Sequence, residues 1–244
     1  MASEHLVFRD VHKAFDGKAV LRGASLSVRR GSVHFVLGRS GAGKSVLIKS
    51  AVGLVTPDAG EICLDGRNVV GLPEAAFRSV RDTCQLIFQA ACLFSHLTVL
   101  ENVAMPVAKR FHLDRGAARA RAAVALAQVN AAHLAARPAV ELGAGLQKRV
   151  AVARALALQP RVLLFDEPTT GLDPVAARRT DRLIATLAHD LGLTALVVSH
   201  DRTSVRDTAD GVSFLDGGRI VFDGTGKALF ASSQPAVRAF VAPG

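Results

Sequence analysis

The sequence predicts an α/β protein with a mainly parallel sheet, an amino-terminal antiparallel β subdomain and an inserted helical subdomain. Three observations predict it. Short apolar runs recur at Val33–Leu37, Val162–Phe165 and Ala195–Val198, each the length of a strand buried on both faces. Helical patterns separate them, as in the strand–helix alternation of a parallel sheet. From about Glu101 to Leu158 the chain is rich in Ala and Arg and poor in strand signals.

Taken in order, Leu6–Phe8 and Val20–Val28 alternate apolar and polar, which reads as antiparallel strands with one wet face. Val33–Leu37 is a buried strand running into a glycine-rich turn, and Lys44–Leu54 is a helical pattern. Gly116–Ala136 reads as one Ala-rich helix ending by Pro138, since Ala and Arg both favour helices. A further helix covers Lys148–Leu156. Arg161–Phe165 is a strand, Thr180–Leu191 a helix and Ala195–Val198 a strand. Val212–Leu215 and Ile220–Phe222 flank Asp216-Gly217-Gly218, a hairpin turn signal. The expected organisation is one domain over 1–244. Its α/β core lies at about 1–88 and 160–228, its helical subdomain at about 89–159 and a short tail at 229–244.

Composition bounds the function. The chain has 244 residues, enough for one large or two small domains with a sizeable core. Half the residues are hydrophobic, which excludes a disordered chain. The apolar runs are far shorter than the about 20 residues of a spanning helix. The amino terminus, MASEHLVFRD, has no basic segment followed by an apolar one, so no secretory signal is expected. A net charge of +9, mostly from Arg, invites nucleic acid or an anionic membrane as partner, but charge speaks to association rather than fold. Cys63, Cys84 and Cys92 form no C-x-x-C pair and read as packed, reduced thiols of a cytosolic protein. Trp and Tyr are absent, so any stacking on a ligand falls to Phe or His.

The chemistry is concentrated in two places. Gly38-Arg39-Ser40-Gly41-Ala42-Gly43-Lys44-Ser45 fits G-x-x-x-x-G-K-[ST], the loop that cradles nucleotide phosphates. Its glycines let backbone N–H groups wrap the phosphates, and the following helix points its positive end at them. Lys44 is expected on the β/γ-phosphates and the Ser45 hydroxyl on Mg²⁺. The second place is Arg161-Val162-Leu163-Leu164-Phe165-Asp166-Glu167, a buried strand ending in acid. At the carboxyl end of a parallel strand these carboxylates fall beside the phosphate loop. Asp166 is expected to hold Mg²⁺ through water, and Glu167 to polarise the attacking water.

On these residues the chain resembles the ATP-binding subunits of ABC transporters, whose core is of the P-loop, RecA-like kind. The resemblance runs from about Leu6 to Phe240 with the motifs in the family's order. It implies ATP and Mg²⁺ as ligands, with Val46 joining Gly38–Ser45 in the nucleotide site. It implies that Gln89 is the Q-loop glutamine at the Mg²⁺ and water site, and that His200 is the switch histidine on the γ-phosphate. Leu172-Asp173 match the D-loop, and Phe15 falls where the family places an aromatic against adenine. The signature loop departs. Where the family has LSGGQ this chain has Leu142-Gly143-Ala144-Gly145-Leu146, before the helix at Lys148–Leu156. This loop is implied to close over the γ-phosphate of a second copy, so loss of the serine predicts reduced but real ATPase activity.

Phe88-Gln89-Ala90-Ala91-Cys92-Leu93-Phe94 resembles the corresponding stretch of phospholipid transporters of the Mla and Mce types. Gly43–Lys49 and the tail Gln234–Phe240 do so as well. The implied partners are a second copy, a transmembrane permease and a lipid-binding Mce-domain protein, at the cytoplasmic face of the inner membrane. No nucleic acid partner is expected. Because the sequence stops at Gly244, the longer carboxyl extension of some Mla-type ATPases is expected to be missing. The alternatives are an importer of amino acids or other polar solutes, and an ATP-switched regulatory module with negligible turnover.

Overall fold

The structure is a computed structural model that describes residues 4–242, every side chain among them except that of Asp207. The ends of the expected domain, residues 1–3 and 243–244, lie outside the described residues. Two sheets form the scaffold. The first joins β1 (Glu4–Phe15), β2 (Lys18–Arg29), β4 (Ala59–Leu64) and β5 (Arg67–Asn68) in the antiparallel order β2-β1-β4-β5. In β1, Leu6 and Phe8 are buried and Val7 between them is half-buried, as the alternation in sequence expects; at Arg9 and Asp10 the alternation breaks, both being exposed, in a register shift where Asp10 takes a left-handed φ of 47°.

The second sheet joins β3 (Val33–Leu37), β6 (Cys84–Ile87), β7 (Val162–Asp166), β8 (Thr194–Ser199), β9 (Gly211–Asp216) and β10 (Arg219–Gly224), in the order β10-β9-β3-β8-β7-β6. All neighbours are parallel except the β9–β10 hairpin, closed by Gly217-Gly218 with both φ angles positive. Burial on both faces explains the unbroken apolar runs. Phe35, Leu163, Phe165 and Val197 face one apolar cluster, and Val36, Leu164, Leu196 and Val198 face the other.

The helices cover those faces. α1 (Lys44–Ala51) and α2 (Glu74–Thr83) sit on the cluster shared with the antiparallel sheet. α3 (Val99–Phe111), α4 (Arg115–Gln128) and α5 (Ala144–Leu156) follow β6 and precede β7, and they join α6 (Pro174–Leu191) on the other cluster. α7 (Val205–Thr208), α8 (Gly226–Phe230) and α9 (Pro235–Val241) complete the chain. Leu229 and Val237 are buried, and the Phe240 ring lies 5.0 Å from that of Phe214, so the tail is packed on the core.

Several expected boundaries are corrected. The Ala-rich helix stops at Gln128 rather than Ala136, because Asn130 adopts a left-handed φ of 55° and a 3-10 turn follows at Ala132–Leu134. Buried Val129, Ala131 and Leu134 turn the chain back onto the core, and Asn tolerates that conformation. The helix expected from Thr180 begins at Pro174, since Asp173 accepts the N–H groups of Val175 and Ala176 and proline suits the first turn. The helix expected from Lys148 begins at Ala144, so most of the signature loop is its first turn. Cys63 and Cys84 are buried as expected, but Cys92 is exposed at a positive φ. Among the described residues no helix is long and apolar enough to cross a membrane.

Candidate functional site

Four neighbouring parallel strands, β3-β8-β7-β6, bring the chemical residues together at their carboxyl ends. The phosphate loop follows β3, His200 follows β8, Asp166-Glu167 end β7, and Gln89 stands just beyond β6. This is where open α/β sheets bind ligands.

Gly43 is the N-cap of α1 at φ 103°. A side chain there would lie 3.0 Å from Leu21 Cδ2 and 3.1 Å from the Val20 carbonyl, so close approach and backbone angle both require glycine. The first turn of α1 holds no acidic residue, which leaves its positive end free to attract an anion. Lys44 is buried, and its Nζ donates to the carbonyls of Gly38 (2.9 Å) and Arg39 (3.1 Å). The same ammonium lies 3.3 Å from Glu167 Oε1. The Ser45 hydroxyl donates to Asp166 Oδ1 at 2.6 Å. A cleft of about 330 Å³ opens here, and Ser40, Gly41, Val46, Gln89 and His200 are among its walls.

Glu167 carries a left-handed φ of 51°, uncommon for a side chain of its size, and its N–H still bonds to the Val198 carbonyl. That pins a strained residue beside the ladder, a pattern found at functional positions. Its Oε2 accepts from His200 Nδ1 at 2.5 Å and from the Thr170 hydroxyl at 2.9 Å. A carboxylate only accepts, so Nδ1 carries the hydrogen and Nε2 is left for a ligand. Asp166 is buried, with Lys49 Nζ 3.6 Å from its Oδ2.

Hydroxyl and carboxylate oxygens suit a hard cation. Among the described residues no group of three or more His, Cys, Asp or Glu would hold a metal by itself. Mg²⁺ needs no such cage, since it is commonly bound through one or two protein oxygens with phosphates and water completing its shell. Ser45 and Asp166 fit that pattern.

Gln89 is exposed and lies between two cavities, the phosphate cleft and a larger one of about 810 Å³. The larger cavity separates the segment after β6 from α5 and Thr170. The signature loop is not brought to the phosphate cleft of its own chain. Leu142 is buried, Leu146 packs on the core, and Gly143 and Ala144 are exposed at the start of α5. Gly143 is the N-cap and offers no side-chain cap, so the N–H groups of Ala144 and Gly145 have no partner among the described residues, while that of Leu146 donates to the Gly143 carbonyl at 3.0 Å. Leu172 lies 3.8 Å from the position a Gly145 side chain would take, and Asp173 caps α6. The Ala176 N–H, above all, holds the Asp173 carboxyl below the usual carboxylate range. Phe15 ends β1, is 45 % exposed, and has the Lys13 ammonium 5.3 Å from its ring centre. It is not among the walls of the cleft.

Sequence reasoning missed Thr170, Lys49, Lys148 and Arg154. Lys148 is buried and donates to the Thr170 carbonyl at 2.6 Å. Arg154 donates to the carbonyls of Ala91 (2.9 Å) and Cys92 (2.7 Å), tying the segment after Gln89 to α5. Thr170 lies one turn after Glu167, the only sequence signal any of the four carried.

A phosphate loop, a strand-end carboxylate pair and a histidine at adjoining strand ends define a P-loop nucleoside triphosphatase. Residues 21–170 match the ABC transporter family, and the chain belongs to it. It is an ATPase of that family. The methionine import ATP-binding protein MetN of Caulobacter vibrioides is 41 % identical over 92 % of this chain and 68 % of its own length. MetN of Rhizobium johnstonii is 42 % identical over 96 % and 64 %, so the chain spans about two thirds of these relatives. The intermembrane phospholipid transport system ATP-binding protein MlaF of Escherichia coli is 35 % identical over 96 % of this chain and 87 % of its own. Among solved structures, cbiO1 of Clostridium perfringens, part of the transporter complex cbiONQ, superposes with a TM-score of 0.87 at 30 % identity, covering 95 % of this chain and 93 % of cbiO1. The dimeric cassette MJ0796 bound to ADP and Pi gives 0.81 at 28 % identity over 90 % and 98 %.

Proposed function

We propose that two copies of this chain bind two ATP molecules head to tail, and that closing and reopening of the pair drives an attached permease. The observation that carries this is the convergence of Lys44, Ser45, Asp166, Glu167 and His200 at adjoining strand ends, linked at 2.5–3.3 Å. The backbone of Gly38–Ser45, with Val46 behind it, wraps the phosphates, and Lys44 exchanges its carbonyl partners for phosphate oxygens. Ser45 and Asp166, with Gln89 at the edge of the cleft, hold Mg²⁺, which neutralises phosphate charge when bound. Glu167 polarises the attacking water, while His200 orients that carboxylate through Nδ1 and turns Nε2 to the γ-phosphate. Phe15 stacks on adenine. The signature loop Leu142–Leu146, through the N–H groups of Ala144 and Gly145, and the D-loop at Leu172-Asp173 meet the other copy. Catalysis is positioning plus charge stabilisation. Residues 89–159 act as a helical subdomain that shifts against the core at about 1–88 and 160–228, with the tail packed on the core through Leu229, Val237 and Phe240.

The transported substrate we propose is phospholipid, on the pattern Phe88–Phe94 and the likeness to MlaF. The partners are then a permease and a Mce-domain lipid-binding protein at the cytoplasmic face of the inner membrane. The higher identity to MetN favours a second reading, import of an amino acid. Purification with membrane partners separates the two: bound phospholipid supports the first, and ATPase stimulated by an amino-acid-loaded binding protein supports the second. Negligible turnover with either would favour a regulatory module. The core of the reading is tested by Glu167→Gln. Loss of a positioned base is expected to lower turnover by about 10²–10⁴-fold while ATP binding persists and a dimer accumulates on size exclusion. Turnover at the native rate would remove Glu167 from its role.

A further inference from the structure

We propose that Lys148 is a positioning residue for the hydrolytic carboxylate, through which the helical insert of the same chain sets the geometry of Glu167. The proposal rests on the role given to Glu167 above.

Lys148 lies on α5, the helix whose first turn carries the signature residues. Its side chain is 7 % exposed, and burial pulls its pKa below the ordinary lysine range against the opposing pull of Glu167. Among the described residues its ammonium donates to one acceptor, the Thr170 carbonyl at 2.6 Å. A buried lysine serving packing alone would be replaced at less cost by methionine, because an ammonium out of water is unfavourable unless its hydrogens are used. Here the charge is spent on a single carbonyl in a different part of the chain.

That carbonyl belongs to the residue whose hydroxyl holds Glu167. Thr170 Oγ1 donates to Glu167 Oε2 at 2.9 Å, the oxygen that His200 also binds, and the Thr170 N–H donates to the Glu167 carbonyl at 3.3 Å. The turn from Glu167 to Thr170 is therefore closed on itself, and a pull on the Thr170 carbonyl is transmitted to the carboxylate. Lys148, Thr170, Gln89 and Asp166 all border the cavity of about 810 Å³. The Lys148–Thr170 bond therefore lies in the wall of that cavity and joins α5 to the turn after β7. Any shift of α5 relative to the core changes the width of that cavity, and this bond conveys the change to the atom that must face the water.

The test is steady-state ATPase of the native chain, Lys148→Met, Lys148→Arg, Thr170→Val and the Lys148→Met/Thr170→Val double variant, with Glu167→Gln alongside. Lys148→Met is expected to lower kcat about tenfold with KM for MgATP within about twofold, the mark of a group acting on the reacting geometry rather than on binding. Lys148→Arg, able to donate to the same carbonyl, restores at least about a third of the rate. The double variant is no slower than the worse single variant, because both substitutions break one path. Native kcat in Lys148→Met, a loss carried by KM, failure of arginine to rescue, or multiplying losses would each overturn the proposal. If Lys148→Met proves unfolded by circular dichroism, Lys148→Leu, which likewise cannot donate, is read by the same criteria. An active Glu167→Gln would overturn the underlying reading, whereas an inactive one beside an unimpaired Lys148→Met overturns the strut alone.

Discussion

Gly143 stands at the N-cap of α5 with open space around it, for a side chain built there meets no heavy atom within 4 Å. A serine therefore fits without displacement, and its hydroxyl would cap the helix, a gain over glycine of about a few tenths of a kcal/mol. Its larger effect is expected across the closed pair, where a hydroxyl bond to charged phosphate contributes about 1.5–3 kcal/mol. The Gly143→Ser, Ala144→Gly double substitution is thus expected to favour dimer closure by about 10- to 150-fold and to raise ATPase activity. Equal turnover in native and substituted chains would show that closure is not limited there. The same scale separates what was legible from what was not. Gly43, Lys44, Ser45, Asp166 and Glu167 could be found because phosphate chemistry restricts each position to one or two residue types, and His200 through the family resemblance. Thr170 and Lys148 could not, since Thr and Lys serve many purposes and the Lys148 bond joins α5 to the turn after β7.

Among the elements, the segment from Phe94 to Thr98 has no regular structure of its own, yet α3 fixes it. Asn102, fully buried, accepts the Phe94 N–H at 2.7 Å and donates to the carbonyls of Phe94 (3.0 Å), Leu97 (3.3 Å) and Thr98 (3.0 Å). Thr98 and Glu101 add a capping box at the start of the helix. Replacing Asn102 by Leu keeps the size but strands buried backbone groups, at about 1–3 kcal/mol for each left unsatisfied. Amide exchange at 94–98 is expected to quicken in Asn102→Leu while β3 and α1 keep native protection. Unchanged exchange at 94–98 would mean that something else holds the segment. Nothing local marks this Asn as a rivet, because its partners precede it in a loop. Element boundaries failed for a related reason. Arg178, Arg179 and Thr180 hide the apolar period of the first turns of α6, while the cap that starts it lies in Asp173 and Pro174.

For the molecule as a whole, the sheet order is what the sequence withheld. The signals at Gly38, Gln89, Asp166 and His200 become neighbours only because β8 is laid between β3 and β7 and β6 beyond them. Two buried groups on this scaffold then set opposing slopes of stability with pH. His34, on β3, bonds through Nε2 to Ser213 Oγ at 2.8 Å, and burial lowers its pKa from 6.5 to about 4, with Asp223 pulling the other way. Above pH 6.5 both states are neutral there; as pH falls from 6.5 towards 4 the unfolded chain binds the proton first, and about 3 kcal/mol of stability is lost. Asp181, on α6, has an Oδ1 without a partner among the described residues, and burial raises its pKa from 3.8 to about 6, with the charges of Asp201 and Arg178 acting in opposite senses. Here the folded chain binds the proton first, so stability is gained as pH falls from about 6 to 3.8, again by about 3 kcal/mol. Over that shared window the two slopes offset each other. Asp181→Asn removes only the second. The variant is expected to exceed the native chain in urea midpoint at pH 7, to lose stability steeply on acidification, and to converge with the native chain near pH 4. A difference in midpoint that stays constant from pH 7 to 4.5 would show that Asp181 is not the counterweight to His34.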